Sequence, residues 1–264
     1  MSVRPVTDIE SNRRREDVLR ELNLYPLWTL RTAPEAVRLA EPSSISLPKV
    51  NSVQARNTVE EIPLDDIGVL DWSDLKKRVK GCTACKLRAG CMQTVFGTGD
   101  ESADWLFVGS WPTEDDETSG EPFAGQAGQL LDNMLAAIKL KRNTNVYLAN
   151  VVKCSGSIVR GPQPEEIAQC SPYLLRQITL LQPKIIVALG HAAATALLGE
   201  DCEWDSLLGK VHGFDGFAKD KGRTTIPLII THHPAALLLT PLNKAQAWRD
   251  LCLARDTMLS VKQQ

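Results

Sequence analysis

The pattern of apolar and polar positions changes near Trp72. Beyond it lie four short apolar runs, rich in β-branched residues and nearly uninterrupted, as strands buried on both faces of a sheet are. These runs are 105–109, 146–150, 185–189 and 228–231. Stretches with helical periodicity lie between and after them, at 126–140, 164–181, 192–198 and 244–259. The alternation predicts an α/β fold, a three-layer doubly wound sheet of about four mainly parallel strands.

The residues before Trp72 follow a different pattern. Residues 13–24 are charged, with apolar side chains at helical spacing, and run into an apolar stretch that contains Trp28. A short helix followed by an extended hook is predicted there. After residue 32, prolines, serines and asparagines are frequent and apolar residues are scattered, which is typical of a linker. The predicted organisation is a helix and docking hook at 1–31, a flexible linker at 32–72 and an α/β domain at 73–264.

The composition is that of an ordinary globular protein. The 264 residues include 30 Lys+Arg and 32 Asp+Glu, and 43% are hydrophobic, which excludes collagen, coiled-coil and mucin classes. No apolar run approaches the ~20 residues that a membrane-spanning helix needs, and the first residues lack the apolar core of a secretory signal. We therefore expect a cytoplasmic protein with no membrane partner. The net charge of -2 gives no global attraction to nucleic acid, so DNA binding would depend on a local patch.

Four of the seven cysteines are spaced as metal ligands often are. Cys82 and Cys85 form a C-x-x-C pair, Cys154 follows the second predicted strand, and Cys170 lies 16 positions later in a predicted helix. Structural disulfides are not expected in a reducing cytoplasm. Four thiolates could hold zinc or an iron–sulfur cluster, and the alternative is a coincidence of buried cysteines. The other three are interpreted as small core or surface residues: Cys91, Cys202 and Cys252.

Polar segments follow the predicted strands, and ligands of parallel sheets bind at the carboxyl ends of the strands. The segments are 110–120, 150–160 and 232–234. Several motifs occur in order around them: C-x-x-C at 82–85, V-F-G-T-G at 95–99, G-E-P-F at 120–123, N-V-V-K-C at 150–154, E-I-x-x-C at 166–170 and H-P-A at 233–235. In order and spacing these motifs resemble family 4 uracil-DNA glycosylases, the iron–sulfur members of the uracil-DNA glycosylase superfamily.

The resemblance implies a cofactor and a reaction. It implies that Cys82, Cys85, Cys154 and Cys170 bind a [4Fe–4S] cluster with a mainly structural role. It also implies a hydrolase of base excision repair that cleaves the N-glycosidic bond of uracil in single- or double-stranded DNA. A monofunctional reaction without a lyase step is expected, because no lysine occupies a motif position suited to a Schiff base.

The resemblance further implies a role for each residue of a base pocket. Phe123 would stack on the flipped uracil, and Asn150 would read the edge of that base. His233 would donate a hydrogen bond to uracil O2 as negative charge develops there. Asp116 would orient water or face the sugar cation. Each residue seen alone has an ordinary alternative: a core phenylalanine, a loop-capping asparagine or a turn at His-Pro.

Contacts to the DNA strand are implied by the segment 234–241. Its three leucines would insert into the DNA and fill the gap left by the flipped nucleotide: Leu237, Leu238 and Leu239. Lys210 and Lys244 remain as phosphate contacts, although a solvated surface charge is the ordinary role of such lysines.

Two departures from the family pattern leave the function open between two classes. Ser110 and Trp111 stand where the family usually has glutamate and alanine, so a carboxylate is replaced by a hydroxyl and a large ring could obstruct the base. Three positions that are usually basic or phosphate-facing are also changed, which should weaken DNA binding. The first hypothesis is an active uracil-DNA glycosylase. The alternative is a catalytically degenerate glycosylase fold that serves as a replisome accessory.

The hook suggests a protein partner. Residues 19–31 resemble the start of the psi subunit of the bacterial DNA polymerase III clamp loader, where a short helix followed by W-x-L-R engages the chi subunit. This resemblance implies chi as a partner through residues 13–31. The alternative is that Trp28 and its neighbours fold back onto the main domain. A monomer is expected.

Overall fold

The folded domain includes residues that the sequence pattern assigned to the linker. The computed structural model describes residues 64–155, 161–199, 203–216 and 225–262, without the side chains of 64–66. Leu64–Val69 form a 3-10 helix, and Ile67 is buried in the core. Residues 64–72 therefore belong to the domain. The predicted helix and hook at 1–31 and the linker up to residue 63 lie outside the described residues.

One mixed sheet forms the centre of the described domain, with strand order β1-β3-β2-β4-β6-β5. The strands are β1 Thr98–Gly99, β2 Trp105–Gly109, β3 Val146–Asn150, β4 Ile185–Leu189, β5 Val211–Phe214 and β6 Ile226–Thr231. The four predicted strands are the parallel centre, so the predicted fold class is confirmed. Antiparallel β1 and β5 extend the two edges. These edge strands are too short and too exposed to produce an apolar run.

Helices cover the sheet, and several begin at sequence signals that favour a helix. The helices are α1 Trp72–Lys80, α2 Glu114–Ser119, α3 Gly125–Ala137, α4 Pro164–Leu181, α5 His191–Leu198, α6 Trp204–Leu207, α7 Pro234–Leu239 and α8 Lys244–Val261. Asp71 caps α1 by accepting a hydrogen bond from Asp74 N at 2.9 Å. Pro164 lies in the first turn of α4, where a missing N–H does no harm. None of the described helices is long and apolar enough to cross a membrane.

The core lies in two layers, one on each face of the sheet. Along β2, Leu106 and Val108 pack with α1, α4 and α5, whereas Trp105 and Phe107 pack with α3 and α8. Both faces are therefore buried, which explains why the central strands are apolar at every position. Gly109 pairs with Asn150 in the parallel register. The carboxyl ends of these strands consequently meet at one edge of the sheet, where the polar segments begin.

Candidate active site

Three of the predicted pocket residues meet at the carboxyl edge of the sheet. Gly109 ends β2, and a Cβ at this position would overlap Asn150 Oδ1 and lie 2.5 Å from Phe123 Cζ. The Phe123 ring in turn contacts the His233 ring, with centroids 5.7 Å apart. The structure therefore brings Phe123, Asn150 and His233 together over a glycine that leaves room for their side chains.

Asn150 is a buried side chain with an unused donor. It ends β3 and is 2% exposed, and among the described residues its Nδ2 has no hydrogen-bond partner. Its backbone carbonyl accepts a hydrogen bond from Lys153 Nζ at 2.8 Å, and the same Nζ donates to Gln177 Oε1 at 2.6 Å. A buried donor without a partner is unfavourable unless a ligand supplies the acceptor. The Asn150 amide is thus ready to donate to a bound polar group.

Asp116 lies beside this pocket, and both of its oxygens accept backbone N–H groups. It is 4% exposed. Oδ2 accepts from Thr113 N at 3.0 Å, which caps α2, and Oδ1 accepts from Ala124 N at 2.7 Å. Asp116 therefore fixes the turn that follows Phe123. The sequence motif indicated an acidic residue here but not this bonding.

His233 is held as a neutral imidazole with one free donor. Its Nδ1 accepts a hydrogen bond from Ala235 N at 3.2 Å and so caps α7. Desolvation lowers the pKa of His233 to about 4, although the nearby Asp116 charge acts in the opposite direction. An acceptor at Nδ1 leaves the proton on Nε2. The ring therefore offers an N–H without carrying a positive charge.

We expect His233 to titrate near pH 4 rather than near its ordinary value of 6.5. The imidazole C2–H signal, followed by NMR against pH and assigned with His233→Gln, measures this. Asp116→Asn should lower the midpoint further, because it removes a favourable anion. The unfolded chain takes up this proton near pH 6.5, so the stability contributed by neutral His233 falls as pH drops from about 6.5 to about 4. A midpoint near 6.5 in the parent protein would contradict this assignment.

A large open groove lies beside His233, and its lining includes neither Phe123 nor Asn150. Ser110 and Trp111 line it together with His233. Ser110 is buried, and the half-buried Trp111 ring rests against Gly161, where a Cβ would lie 3.3 Å from its Cη2. The groove also contains an aromatic cluster that the sequence pattern did not indicate. In this cluster Trp204 contacts both His191 and His232, with ring centroids 5.7 and 5.3 Å apart.

The leucines after His233 differ in their exposure. Leu237 is 1% exposed and packs in the core, so the structure assigns it a structural place rather than the predicted DNA contact. Leu238 is 41% exposed and Leu239 86%. Leu242, which no motif indicated, is 89% exposed. Lys210 and Lys244 are both exposed, just before β5 and at the start of α8.

The four spaced cysteines surround one small, largely apolar cavity. Cys82, Cys85, Cys154 and Cys170 line it with apolar neighbours such as Val152. Their thiols are free, and among the described residues no three His, Cys, Asp or Glu side chains form a group suited to one metal ion. Four thiols around one cavity form a donor set that zinc or an iron–sulfur cluster could use.

Burial and mutual repulsion oppose ionisation of two of these thiols. Desolvation raises the pKa of Cys154, and the neighbouring Cys91, Cys170 and Cys85 raise it further. Desolvation also raises the pKa of Cys170 to about 11. A cationic iron centre among the thiols would reverse this balance, because it stabilises thiolates. A metal-containing group would therefore suit these thiols chemically.

Glu117 connects this cavity with α2. Its Oε1 accepts a hydrogen bond from Ser155 N at 3.0 Å, directly after Cys154, and its Oε2 accepts from Met92 N at 3.1 Å. Cys91 is buried nearby, and its Sγ donates to Gln93 O at 3.1 Å. No spacing rule indicates Cys91 or Glu117, because their neighbourhood depends on how the chain folds back.

Comparison with known proteins shows the family of the chain. Residues 96–253 match the family described as the Uracil DNA glycosylase superfamily. A type-4 uracil-DNA glycosylase of Archaeoglobus fulgidus is 38% identical over 172 residues, which cover 64% of this chain and 83% of the relative. That of Sulfurisphaera tokodaii is 39% identical over 63% of this chain and 76% of the relative. That of Pyrobaculum aerophilum is 35% identical over 70% and 93%. The chain that places Phe123, Asn150 and His233 over Gly109 belongs to the uracil-DNA glycosylase superfamily, as a member of its type-4 family.

Proposed function

We propose that the protein is a uracil-DNA glycosylase that hydrolyses the N-glycosidic bond of uracil in DNA during repair. The observation that carries this proposal is the unpaired, buried Asn150 amide donor next to the Phe123 ring and the His233 imidazole. Similarity to type-4 uracil-DNA glycosylases supports the same reaction.

Asn150 accounts for the recognition of uracil over cytosine. A base must leave the duplex stack to enter such a pocket, where the Phe123 ring provides a stacking surface. The Asn150 amide can donate from Nδ2 to uracil O4 and accept at Oδ1 from uracil N3–H. Cytosine carries an amino group in place of O4, so two donors would face each other in a buried site.

His233 and Asp116 account for the departure of the base. The neutral His233 ring donates from Nε2 to uracil O2, where negative charge develops as the glycosidic bond breaks. Each Asp116 oxygen accepts one backbone N–H, and a carboxylate oxygen can accept a second hydrogen bond. Asp116 therefore keeps the capacity to orient a water or to face the sugar cation.

We also propose that the cysteine-lined cavity holds a [4Fe–4S] cluster through Cys82, Cys85, Cys154 and Cys170. When bound, the cluster would supply a cross-link rather than a reacting group. The cavity joins the segment after α1 to the end of β3 and to α4. Metal binding of this kind contributes directly to folding stability.

Strand scission at uracil tests the proposed reaction. The purified protein is incubated with single- and double-stranded oligonucleotides that carry one uracil, and alkali then cleaves any abasic site. We expect scission at uracil and none at cytosine or thymine in the same position. No scission by protein that shows the visible absorption of its cluster would reject the enzyme and favour the non-catalytic alternative, to which Ser110 and Trp111 point.

We expect the exposed leucines near the groove to matter for duplex DNA. Replacing Leu239 and Leu242 by alanine should lower the uracil excision rate on double strands by roughly tenfold, because a wedge compensates for the unstacking of the flipped base. Excision from single strands should change little. Leu259→Ala, at an exposed position near the end of α8, is the matched control. Equal losses on single and double strands would contradict the wedge.

We propose the chi subunit as a partner of residues 13–31, which lie outside the described residues. Full-length protein should capture purified chi, and a full-length variant with Trp28→Ala and Leu30→Ala should not. Equal capture by both would remove this proposal. A monomeric state and a cytoplasmic location stay predictions from the sequence.

A further inference from the structure

Phe123 has an unusual backbone conformation for an aromatic residue. Its φ is 58°, in the left-handed region that side chains with a Cβ rarely adopt. Such a conformation persists only where the surroundings hold it in place. In this conformation the Phe123 ring lies over Gly109 and against His233, within the proposed base pocket.

Arg142 holds the carbonyl side of this turn. Its Nη1 donates to Pro122 O at 3.1 Å, and its Nη2 donates to Phe123 O at 2.7 Å and to Gly128 O at 3.3 Å. Its Nε forms an ion pair with Asp132 on α3. The Arg142 side chain is only 19% exposed. A planar guanidinium presents N–H donors from three nitrogens in a fixed arrangement, whereas lysine carries all its donors on one nitrogen.

Two further residues complete the support of the turn. On the amide side, Asp116 Oδ1 accepts the Ala124 N–H. Below the turn, a Cβ at Gly128 would overlap the Phe123 carbonyl oxygen, so only glycine lets the turn approach α3 this closely. Arg142 thus contacts the main chain of the Phe123 turn.

We propose that Arg142 is a positioning residue of the base pocket, which acts by holding Phe123 in the conformation that presents its ring to the uracil. The proposal rests on the proposed function, because it takes the Phe123 ring as the stacking surface. Without the guanidinium, the turn relaxes from the left-handed region and the ring leaves its place over Gly109. The affinity for uracil-containing DNA falls accordingly, and the groups that act on the glycosidic bond remain.

Arg142→Lys tests this role, because lysine keeps the positive charge but loses the planar arrangement of N–H donors. The probe is a single-stranded oligonucleotide with one 2′-fluoro-2′-deoxyuridine, whose glycosidic bond resists hydrolysis, and binding is followed by fluorescence anisotropy. We expect roughly tenfold weaker binding, in the range of a lost base–aromatic stack. KM for the cleavable oligonucleotide should rise by a similar factor with a smaller change in kcat.

Arg176→Lys is the matched control. Arg176 also donates from its guanidinium to a backbone carbonyl, Leu70 O at 2.6 Å, in a partly buried place away from the pocket. Its variant should bind the probe like the parent. Asp132→Asn gives a milder second test, because Asp132 is 49% exposed and its charge orients Arg142. Asp132→Asn should also weaken binding of the probe. If Arg142→Lys and Asp132→Asn both fold and bind the probe like the parent, the proposal is overturned.

A double-mutant cycle with Phe123→Ala distinguishes positioning from a general structural role. If Arg142 acts through Phe123, Arg142→Lys adds no further loss of binding once the ring is gone. Additive losses would overturn the proposal while wild-type excision of uracil remains. A wild-type protein that neither binds nor cleaves uracil-containing DNA would instead reject the proposed function. A crystal structure of Arg142→Lys should show a negative φ at residue 123, and a retained φ near 58° would also overturn the proposal.

Discussion

Replacing Asn150 by alanine is expected to lower kcat/KM for uracil excision by roughly 10²- to 10³-fold, the loss that follows removal of one aligned donor from a buried site. The reason is the position of Nδ2, which is buried and unpaired next to Phe123 and His233. Single-turnover kinetics on a single-stranded uracil oligonucleotide measures the effect without a contribution from product release.

The same substitution should leave the fold intact. Since Asn150 Nδ2 makes no hydrogen bond in the described structure, alanine removes an unsatisfied donor and breaks no contact of that group. We expect the free energy of unfolding to stay within about 1 kcal/mol of the parent value. Asn133→Ala, at an exposed position on α3, is the control for an asparagine of no catalytic importance. An Asn150→Ala enzyme with near-parental kcat/KM would contradict the assignment of Asn150 to base recognition.

The second large effect is expected at the cysteine-lined cavity. Cys154→Ser should abolish iron binding and lower the free energy of unfolding by at least about 3 kcal/mol, because the proposed cluster would lose a buried ligand. Iron content and visible absorption of anaerobically purified protein, followed by denaturant unfolding, measure both effects. The cavity is closed by chain segments that are distant in sequence, so loss of the bound group should loosen all of them together.

Cys252→Ser provides the matched control for this experiment. Cys252 is a half-buried cysteine on α8, and it does not line the cavity. Its variant should keep the iron content and the stability of the parent. Parental iron content in Cys154→Ser would show that Cys154 is not a ligand, and a parent protein without iron would reject the cluster itself.

The position of a pocket residue at a strand end can be predicted from the apolar pattern, as at Asn150. Asn150 ends a fully apolar run, and the parallel register then places it opposite Gly109. Any parallel sheet brings such residues to one edge, so the position of Asn150 follows from the pattern alone. The contact of Phe123 with His233 required the motif resemblance, because the two residues are far apart along the chain.

Other features could not be predicted, for physical reasons that differ between them. Leu237, Leu238 and Leu239 are consecutive and equally apolar, so periodicity cannot tell which one faces the core of the short helix α7. The bonding of Asp116 to Ala124 N depends on a tight turn, not on composition. Arg142 acts on main-chain carbonyls, which every residue possesses, so no pairing of side-chain types reveals it.

The crowding around Gly109 limits how this pocket can change during evolution. Every other amino acid brings at least a methyl-sized branch into space that the Asn150 amide and the Phe123 ring already fill. A substitution there would displace the recognition group and the stacking surface together. Residue 109 thus has to be glycine because of the available volume and not because of any chemical role. New base preferences therefore have to arise from substitutions at other positions of the pocket.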